Sequence, residues 1–191
     1  MKRSAVIASL LGCRNLVIHP IMPCGLEDME NGKEQETWDM NIAFFRALVD
    51  FSRQYGVTVC LENMPFPHFS ISTPEKILEF VRSFDDEYLK ICLDTGHVAV
   101  FSDLSVGEEI RRLGNYIAVL HVHDNMGDGD NHRYPTKGKI DWADVARALD
   151  DIGYNGVFSL ETAPSSNLND EQFEKESIAL FQIAKTIVSK K

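Results

Sequence analysis

The sequence predicts an α/β fold in which parallel strands and helices alternate and build a barrel. Short apolar segments rich in Val, Ile and Leu are separated by stretches long enough for a helix, which is typical of a parallel sheet. Four of these segments end in a residue that can bind a metal ion, namely Glu62, Asp94, His121 and Glu161. Because the carboxyl ends of strands in a parallel barrel converge on one face, we expect these side chains to meet there.

The predicted helices rest on apolar spacing and on residues that begin or end helices. Residues 34–55 carry apolar side chains near helical spacing, and Gly56 follows them. Thr73 can cap a helix whose first position is Pro74, where proline is favoured. The predicted helices are residues 4–11, 34–55, 74–83, 103–114, 141–152 and 170–188.

The predicted strands are short apolar runs that lie between turn residues. They are residues 15–19, 57–62, 89–94, 117–123 and 157–161. Residues 124–139 form a polar loop rich in Gly, Asp, Asn and His. A further strand is expected within residues 132–140, which would bring the sheet from five strands to six.

Composition limits the class of protein and its partners. The chain has 191 residues, 44% of them hydrophobic, which fits a single domain covering residues 1–191. The 19 basic and 29 acidic residues give a formal net charge of −10. Such a charge repels phosphate backbones, so we expect no nucleic-acid partner. No stretch approaches the roughly 18 apolar residues that cross a bilayer, so we expect no membrane partner either.

The cysteines indicate a reducing compartment. Cys13, Cys24, Cys60 and Cys92 form no CxxC pair, and Cys60 and Cys92 lie inside apolar strand runs. Free cysteine in such a run behaves as a small buried hydrophobic residue. We therefore expect no disulfide framework, and we expect a cytoplasmic location.

The first segment, MKRSAVIASLLGC, allows two interpretations. Its basic start, short apolar run and LLGC are similar to a lipoprotein cleavage site. The alternative is an amphipathic helix that ends at Gly12, an ordinary helix stop. We favour the helix because an apolar strand follows at once, where a lipoprotein would usually continue with a polar tether.

Glu62 and Glu161 are the candidates for acid–base chemistry. A Glu at the end of a buried strand is costly unless it is paired, so a salt bridge or helix cap at the rim is the structural alternative. Four ligand-type strand ends favour a shared divalent ion instead, for which these oxygen and nitrogen ligands are suitable. Two carboxylates beside an ion suit proton removal next to a carbonyl and proton return elsewhere, through an enediolate.

Histidines near the strand ends extend the candidate site. His97 follows Asp94 by three residues in DTGH, so both side chains can face one centre. His121 and His123 are expected to point to opposite faces, with only His121 at the barrel mouth. His123 is then expected to contact a helix or to lie behind the metal ligands.

Three further residues are candidates for substrate contact. His19 ends the first predicted strand and can reach the mouth, although a His before Pro is often structural. Asp130 and His132 lie in the polar loop, where a solvated turn is the alternative. His68, in MPFPHF, is expected to be an ordinary loop residue.

Motifs along nearly the whole chain resemble a known superfamily. LVIHP, LEN, CLDTGH, LHVHDN, DNHRYPTKGKIDW and GYNGVFSLET occur in this order. Together they resemble the xylose isomerase-like TIM-barrel superfamily, which includes sugar isomerases and epimerases, inosose dehydratases and endonuclease IV. The resemblance implies an α/β, TIM-type (β/α) barrel. This chain starts at the helix before the third strand, so an N-terminally incomplete barrel with about six of the eight strands is expected.

The resemblance also implies roles for individual residues. Ketose 3-epimerases of this superfamily bind one ion through two Glu, an Asp and a His. This implies that the metal ligands are Glu62, Asp94, His121 and Glu161, that Glu62 and Glu161 transfer the protons, and that His97 contacts substrate. In endonuclease IV the matching positions bind three zinc ions, and there they also include His19, His97, Asp130 and His132.

The sequence departs from the superfamily pattern in one loop, and the shortened barrel leaves sheet edges open. Members often have PxGxG before IDW, whereas this sequence has PTKGK, with Thr136 at the first Gly position. The strands at 15–19 and 157–161 would be open edges of the sheet, so a homo-oligomer is expected.

The leading hypothesis is a metal-dependent isomerase or epimerase of a small sugar, sugar phosphate or polyol. Its expected cofactor is one divalent ion, Mn²⁺, Zn²⁺, Co²⁺ or Mg²⁺. The first alternative, an endonuclease-IV-like phosphodiesterase on abasic DNA, is disfavoured by the net charge of −10. The second is an inactive barrel that keeps its metal ligands.

Overall fold

A computed structural model of the chain describes residues 1–189. Five strands form one parallel sheet in the order β1–β2–β3–β4–β5, which confirms the predicted α/β fold with parallel strands. The strands are β1 (Asn15–Ile18), β2 (Thr58–Glu62), β3 (Leu89–Asp94), β4 (Ile117–Val122) and β5 (Val157–Leu160). The helices are α1 (Lys2–Leu10), α2 (Glu34–Arg53), α3 (Pro74–Phe84), α4 (Thr95–Phe101), α5 (Val106–Leu113), α6 (Trp142–Asp151) and α7 (Asp170–Val188), with a short 3-10 helix at Gly114–Tyr116.

The chain divides into two compact units. The first comprises residues 1–93 and 116–119, and the second comprises residues 94–115 and the described chain from residue 120 to residue 189. Strands β3 and β4 each contribute residues to both units. The single domain expected from the length stays a prediction.

The first unit is built around buried strand residues and an aromatic cluster. In register, Val17 of β1 lies opposite Cys60 of β2, and Cys60 and Cys92 are fully buried. This confirms the expectation that both thiols behave as core residues. Between α2 and α3, the Phe80 ring meets Trp38 and Phe45 edge-to-face, with centroids 5.0 and 5.6 Å away. Burial of large apolar side chains therefore holds this unit together.

The second unit joins its helices by polar contacts as well as by apolar packing. Helix α5 begins with a reciprocal capping box between Ser105 and Glu108. From the same helix, Arg111 binds Asp144 of α6 (Nη2–Oδ1 3.0 Å) and Asp151 (Nε–Oδ2 2.7 Å). The pKa of Asp144 is lowered, chiefly because Arg111 donates to its carboxylate, while burial opposes this effect.

The prediction of a sixth strand within residues 132–140 is wrong. In the described chain this segment holds one isolated antiparallel bridge, between Arg133 and Asp124, and otherwise turns. The buried Asp124 carboxylate accepts hydrogen bonds from the backbone N–H groups of Thr136 (3.1 Å) and Ile140 (3.2 Å). Because a side chain satisfies these backbone donors, they are not available to a neighbouring strand.

Several helices begin or end at residues other than the predicted ones. The helix expected at 103–114 begins at Val106, after the Ser105 cap, and α4 (Thr95–Phe101) precedes it although it was not predicted. Helix α4 is short and starts directly at the end of β3, where Asp94 caps it. The N-terminal helix is confirmed as Lys2–Leu10, and Gly12 follows it with φ 76°. Within residues 1–189, no helix is both long and apolar enough to cross a membrane.

Candidate active site

Asp94 lies at the end of β3 and begins the next helix. Its carboxylate is fully buried, and Oδ1 accepts a hydrogen bond from the backbone N–H of His97 at 2.7 Å. This is an ordinary N-terminal cap of α4, so the local sequence explains where the side chain points. The same cap brings the His97 ring beside the carboxylate, with Nδ1 3.6 Å from Asp94 Oδ1.

His121 and Glu161 meet where β4 and β5 end. The backbone N–H of Glu161 donates to Val122 (3.0 Å), and His121 Nδ1 lies 2.9 Å from Glu161 Oε2. Because the His121 ring nitrogen lies against its carboxylate, the pKa of Glu161 is lowered to about 2, although burial opposes the shift. Glu161 is therefore ionised at neutral pH.

The Glu161 oxygen nearest His121 Nδ1 is Oε2. Oε2 of Glu161 is buried and has no hydrogen-bond partner of acceptable geometry within residues 1–189. Asp94, His121 and Glu161 each offer a ligand atom, and these atoms lie within 4.8 Å of one another. Two carboxylates and one imidazole at this spacing fit a divalent cation, for which ligand bonds are about 2 Å long.

The polar loop brings Asp130 and His132 to the same cluster. Asp130 Oδ2 lies 3.3 Å from His97 Nε2 and 3.4 Å from His132 Nε2. His132 also donates from Nδ1 to the carbonyl oxygen of Glu161 at 2.7 Å. Three of the four residues expected to contact substrate, His97, Asp130 and His132, are therefore neighbours in the second unit.

Glu62 and His19 form a pair in the first unit. Glu62 ends β2, is 2% exposed, and lies opposite Cys92 of β3 in the strand register. His19 follows β1, and its Nε2 lies 3.2 Å from Glu62 Oε2. His68 is an exposed loop residue, as expected, and pairs with Glu30 at 3.0 Å.

The expectation that His121 and His123 point to opposite faces is wrong. Residues two apart on a strand share a face, because side chains alternate with a period of two. His123 is fully buried, and its Nε2 lies 3.0 Å from Asp94 Oδ1. Burial favours the neutral imidazole, but the hydrogen bond and charge of Asp94, together with the charges of Asp130 and Glu161, outweigh burial, so the pKa of His123 is raised. The expected position behind the candidate ligands agrees with this contact.

Asp124 is a site residue that sequence reasoning missed. Besides the backbone N–H groups of Thr136 and Ile140, its carboxylate accepts the indole N–H of Trp142 at 2.8 Å. Asp124 thereby ties together both ends of the loop that carries Asp130 and His132. The only signals in the sequence are the Asp after LHVH and the Trp in IDW, and neither identifies the other as its partner.

The fold and this cluster define an α/β barrel-type protein with carboxylates and imidazoles at its strand ends. A sequence profile described as xylose isomerase-like TIM barrel matches residues 1–183, and the chain belongs to this family. Solved structures with the same fold include a D-tagatose 3-epimerase-like protein. It is 30% identical, with a TM-score of 0.76, over 98% of this chain and 68% of that one. This confirms the TIM-type fold class, in incomplete form.

Curated relatives include proteins of known and unknown activity. An uncharacterised protein of Methanocaldococcus jannaschii is 32% identical over 163 residues, which is 84% of this chain and 54% of the relative. The D-psicose 3-epimerase of Ruminiclostridium cellulolyticum is 33% identical over 125 residues, which is 65% of this chain and 41% of the relative. The chain thus spans about half the length of the curated relatives it matches.

Proposed function

We propose that this protein is a metal-dependent isomerase or epimerase of a small sugar, sugar phosphate or polyol. The observation that carries the proposal is the convergence of Asp94, His121 and Glu161 donor atoms at the ends of three strands. Family membership supports the same reaction class, since relatives include D-psicose and L-ribulose 3-epimerases. A ketose is therefore the first substrate class to test.

The proposed cofactor is one divalent ion, Mn²⁺, Zn²⁺, Co²⁺ or Mg²⁺. Asp94, His121 and Glu161 would hold it, and Glu62 is proposed as the fourth ligand from the resemblance to ketose 3-epimerases. When bound, such an ion polarises a carbonyl and offsets the negative charge that develops on its oxygen. Mixed oxygen and nitrogen ligands do not by themselves select one of these metals.

The proposed chemistry is proton transfer by Glu62 and Glu161. The carboxylate of one Glu removes the proton from the carbon beside the carbonyl, and the other Glu, in its carboxylic acid form, returns a proton to complete the epimerisation or isomerisation. The pKa of Glu161 is lowered, so this residue is ionised at neutral pH and can accept a proton, although a lower pKa also makes it a weaker base. His19, His97, Asp130 and His132 are proposed to orient the substrate, because imidazole and carboxylate groups can bind sugar hydroxyls.

We also propose a cytoplasmic protein of one domain that self-associates. The described cysteines are all free, which suits a reducing compartment. Strands β1 and β5 lie at the two ends of the strand order, and Val157 of β5 is 46% exposed. Exposed strand edges favour pairing with another chain, so light scattering should give a mass above that of the monomer.

An endonuclease-IV-like phosphodiesterase is the second candidate. The contacts of Asp130 with His97 and His132 favour it, because these positions match zinc ligands in that enzyme. The net charge of −10 opposes it, since binding to DNA depends on basic contacts with phosphates. Three bound zinc ions per chain and cleavage of abasic DNA would support the nuclease.

The test of the leading proposal is turnover of ketoses in deuterated water by the full chain supplied with Mn²⁺. Proton transfer with solvent exchange predicts an epimeric product that carries deuterium on the reacting carbon. A product without deuterium would contradict solvent-exchanged proton transfer and favour a shielded transfer or a hydride shift. If metal binds but no sugar, sugar phosphate or polyol is converted, the inactive barrel becomes the better account.

A further inference from the structure

His123 is buried among the candidate ligands, but the proposed reaction gives it no role. It directly follows β4, and none of its side chain is exposed. Its ring stacks on His132, with centroids 4.1 Å apart and planes 16° apart, and meets His97 edge-on at 5.9 Å. Packing on several sides gives this ring one orientation.

The ring is directed at both carboxylate oxygens of Asp94. Nε2 of His123 lies 3.0 Å from Oδ1 and 3.1 Å from Oδ2 of Asp94, and 3.4 Å from Oδ1 of Asp130 in the polar loop. The backbone N–H of His97 approaches the same carboxylate from the other side, at 2.7 Å. Asp94 is thus held between the cap of α4 and the His123 imidazole, which restricts its rotation.

The backbone of His123 is fixed to the residue that follows Asp94. Thr95 Oγ1 donates to the carbonyl oxygen of His123 (2.7 Å) and accepts from its N–H (3.1 Å). One buried hydroxyl therefore joins the end of β4 to the end of β3. The separation between His123 and Asp94 is set by this pair of hydrogen bonds.

Gly96 provides the space that the His123 ring occupies. A Cβ at this position would overlap three atoms of the ring, Cε1, Nδ1 and Nε2. The φ angle of Gly96 is outside the left-handed region, so glycine is needed here for space and not for backbone conformation. The glycine of DTGH therefore leaves room for the ring of the second histidine of LHVHDN.

We propose that His123 is a positioning residue that orients Asp94 toward a bound divalent cation, and that Gly96 permits this contact. The inference rests on the proposed metal site and assigns a residue outside the four proposed ligands. Hydrogen-bond partners of metal ligands fix ligand orientation, and their loss typically lowers metal affinity by about 10–100-fold.

The test is calorimetric titration of the full-length protein with Mn²⁺. His123→Met keeps the approximate volume but removes the donor, and it should weaken Mn²⁺ binding by about 10–100-fold. His123→Gln keeps an N–H donor at similar reach and should recover most of that affinity. His68→Met is the matched control, because His68 is an exposed loop histidine, and its affinity should equal that of the wild type.

Gly96→Ala tests the same contact from the other side. Its methyl group should displace the His123 ring and weaken Mn²⁺ binding in the same direction as His123→Met. In a His123→Ala background the clash is gone, so Gly96→Ala should add little further loss. If His123→Met does not fold, which far-UV circular dichroism would show, His123→Gln and Gly96→Ala still decide the question.

The possible outcomes separate this inference from the proposed function. A wild-type protein that binds no divalent ion overturns the metal site and the positioning role together. Tight Mn²⁺ binding by the wild type, unchanged in His123→Met and in Gly96→Ala, overturns only the positioning role. Loss of one of two ions in His123→Met, with the other bound as before, would make His123 a ligand and contradict the inference.

Discussion

The two compact units of this protein differ in what holds them together. The first unit buries aromatic and aliphatic side chains and carries two carboxylate–imidazole pairs, Glu62 with His19 and the exposed Glu30 with His68. The second unit concentrates ionisable side chains at its strand ends, at the start of α4 and in the polar loop. These are Asp94, His97, His121, His123, Asp130, His132 and Glu161. Substitutions in the first core should therefore affect stability, whereas those in the second cluster should affect metal binding and reaction.

The largest expected effect is on turnover. Glu161→Gln keeps the size of the side chain but removes the base, so it should lower turnover by at least about 10²–10⁴-fold. Glu62→Gln should have an effect of similar size. Initial rates of ketose conversion with saturating Mn²⁺ would measure both.

Glu30→Gln is the matched control for this prediction. Glu30 also faces a histidine, His68 at 3.0 Å, but both side chains are more than half exposed. Its turnover should equal that of the wild type. Full activity in either Glu62→Gln or Glu161→Gln would exclude a two-carboxylate mechanism.

The second effect tests the core of the first unit. Phe80 is fully buried and contacts Trp38, Phe45 and Phe84. Phe80→Ala should lower the free energy of unfolding by about 3–5 kcal/mol in urea titrations. Phe181→Ala, at a side chain that is 58% exposed, should change it by about 0.5 kcal/mol or less. An equal loss of unfolding free energy in the two variants would contradict the prediction that the buried aromatic cluster stabilises this unit more than an exposed side chain does.

The strand ends could be predicted from sequence, whereas their surroundings could not. Apolar runs that stop at Glu62, Asp94, His121 and Glu161 are local patterns, and the strands lie where those patterns predict them. Asp124 was missed because its partners are 12 to 18 residues away and depend on how the loop returns. Helix α4 was missed because its seven residues are too few for a clear helical period.

A smaller effect concerns the loop that carries Asp130 and His132. Thr136 has φ 74°, in the left-handed region, where a β-branched residue is strained. Replacing Thr136 with glycine would relieve about 1–2 kcal/mol of backbone strain. Glycine also gives the unfolded chain more conformational entropy, which lowers stability and partly offsets this gain. Thr136→Gly should therefore stabilise the protein by about 1 kcal/mol or less, measured by thermal unfolding. Clear destabilisation would show that Thr136 is not strained.

The smallest effect is a dependence of stability on pH. Because the pKa of Asp144 is lowered in the folded protein, its ionised carboxylate stabilises the fold at any pH above 3.8, the ordinary pKa of an Asp. This contribution should be lost as the pH falls through the lowered value. Asp144→Asn should therefore lower the melting temperature slightly near neutral pH, and the difference from the wild type should shrink in acid. A difference that persists in strong acid would show that the carboxylate charge is not its cause.

The most direct test of the proposed metal site is a count of bound metal. Elemental analysis would be applied to the purified full chain, to His121→Ala and to His68→Ala, each dialysed after loading with Mn²⁺. The proposed site predicts about one ion per chain in the wild type and in His68→Ala, and almost none in His121→Ala. Equal metal content in all three proteins, or no metal in the wild type, would contradict it.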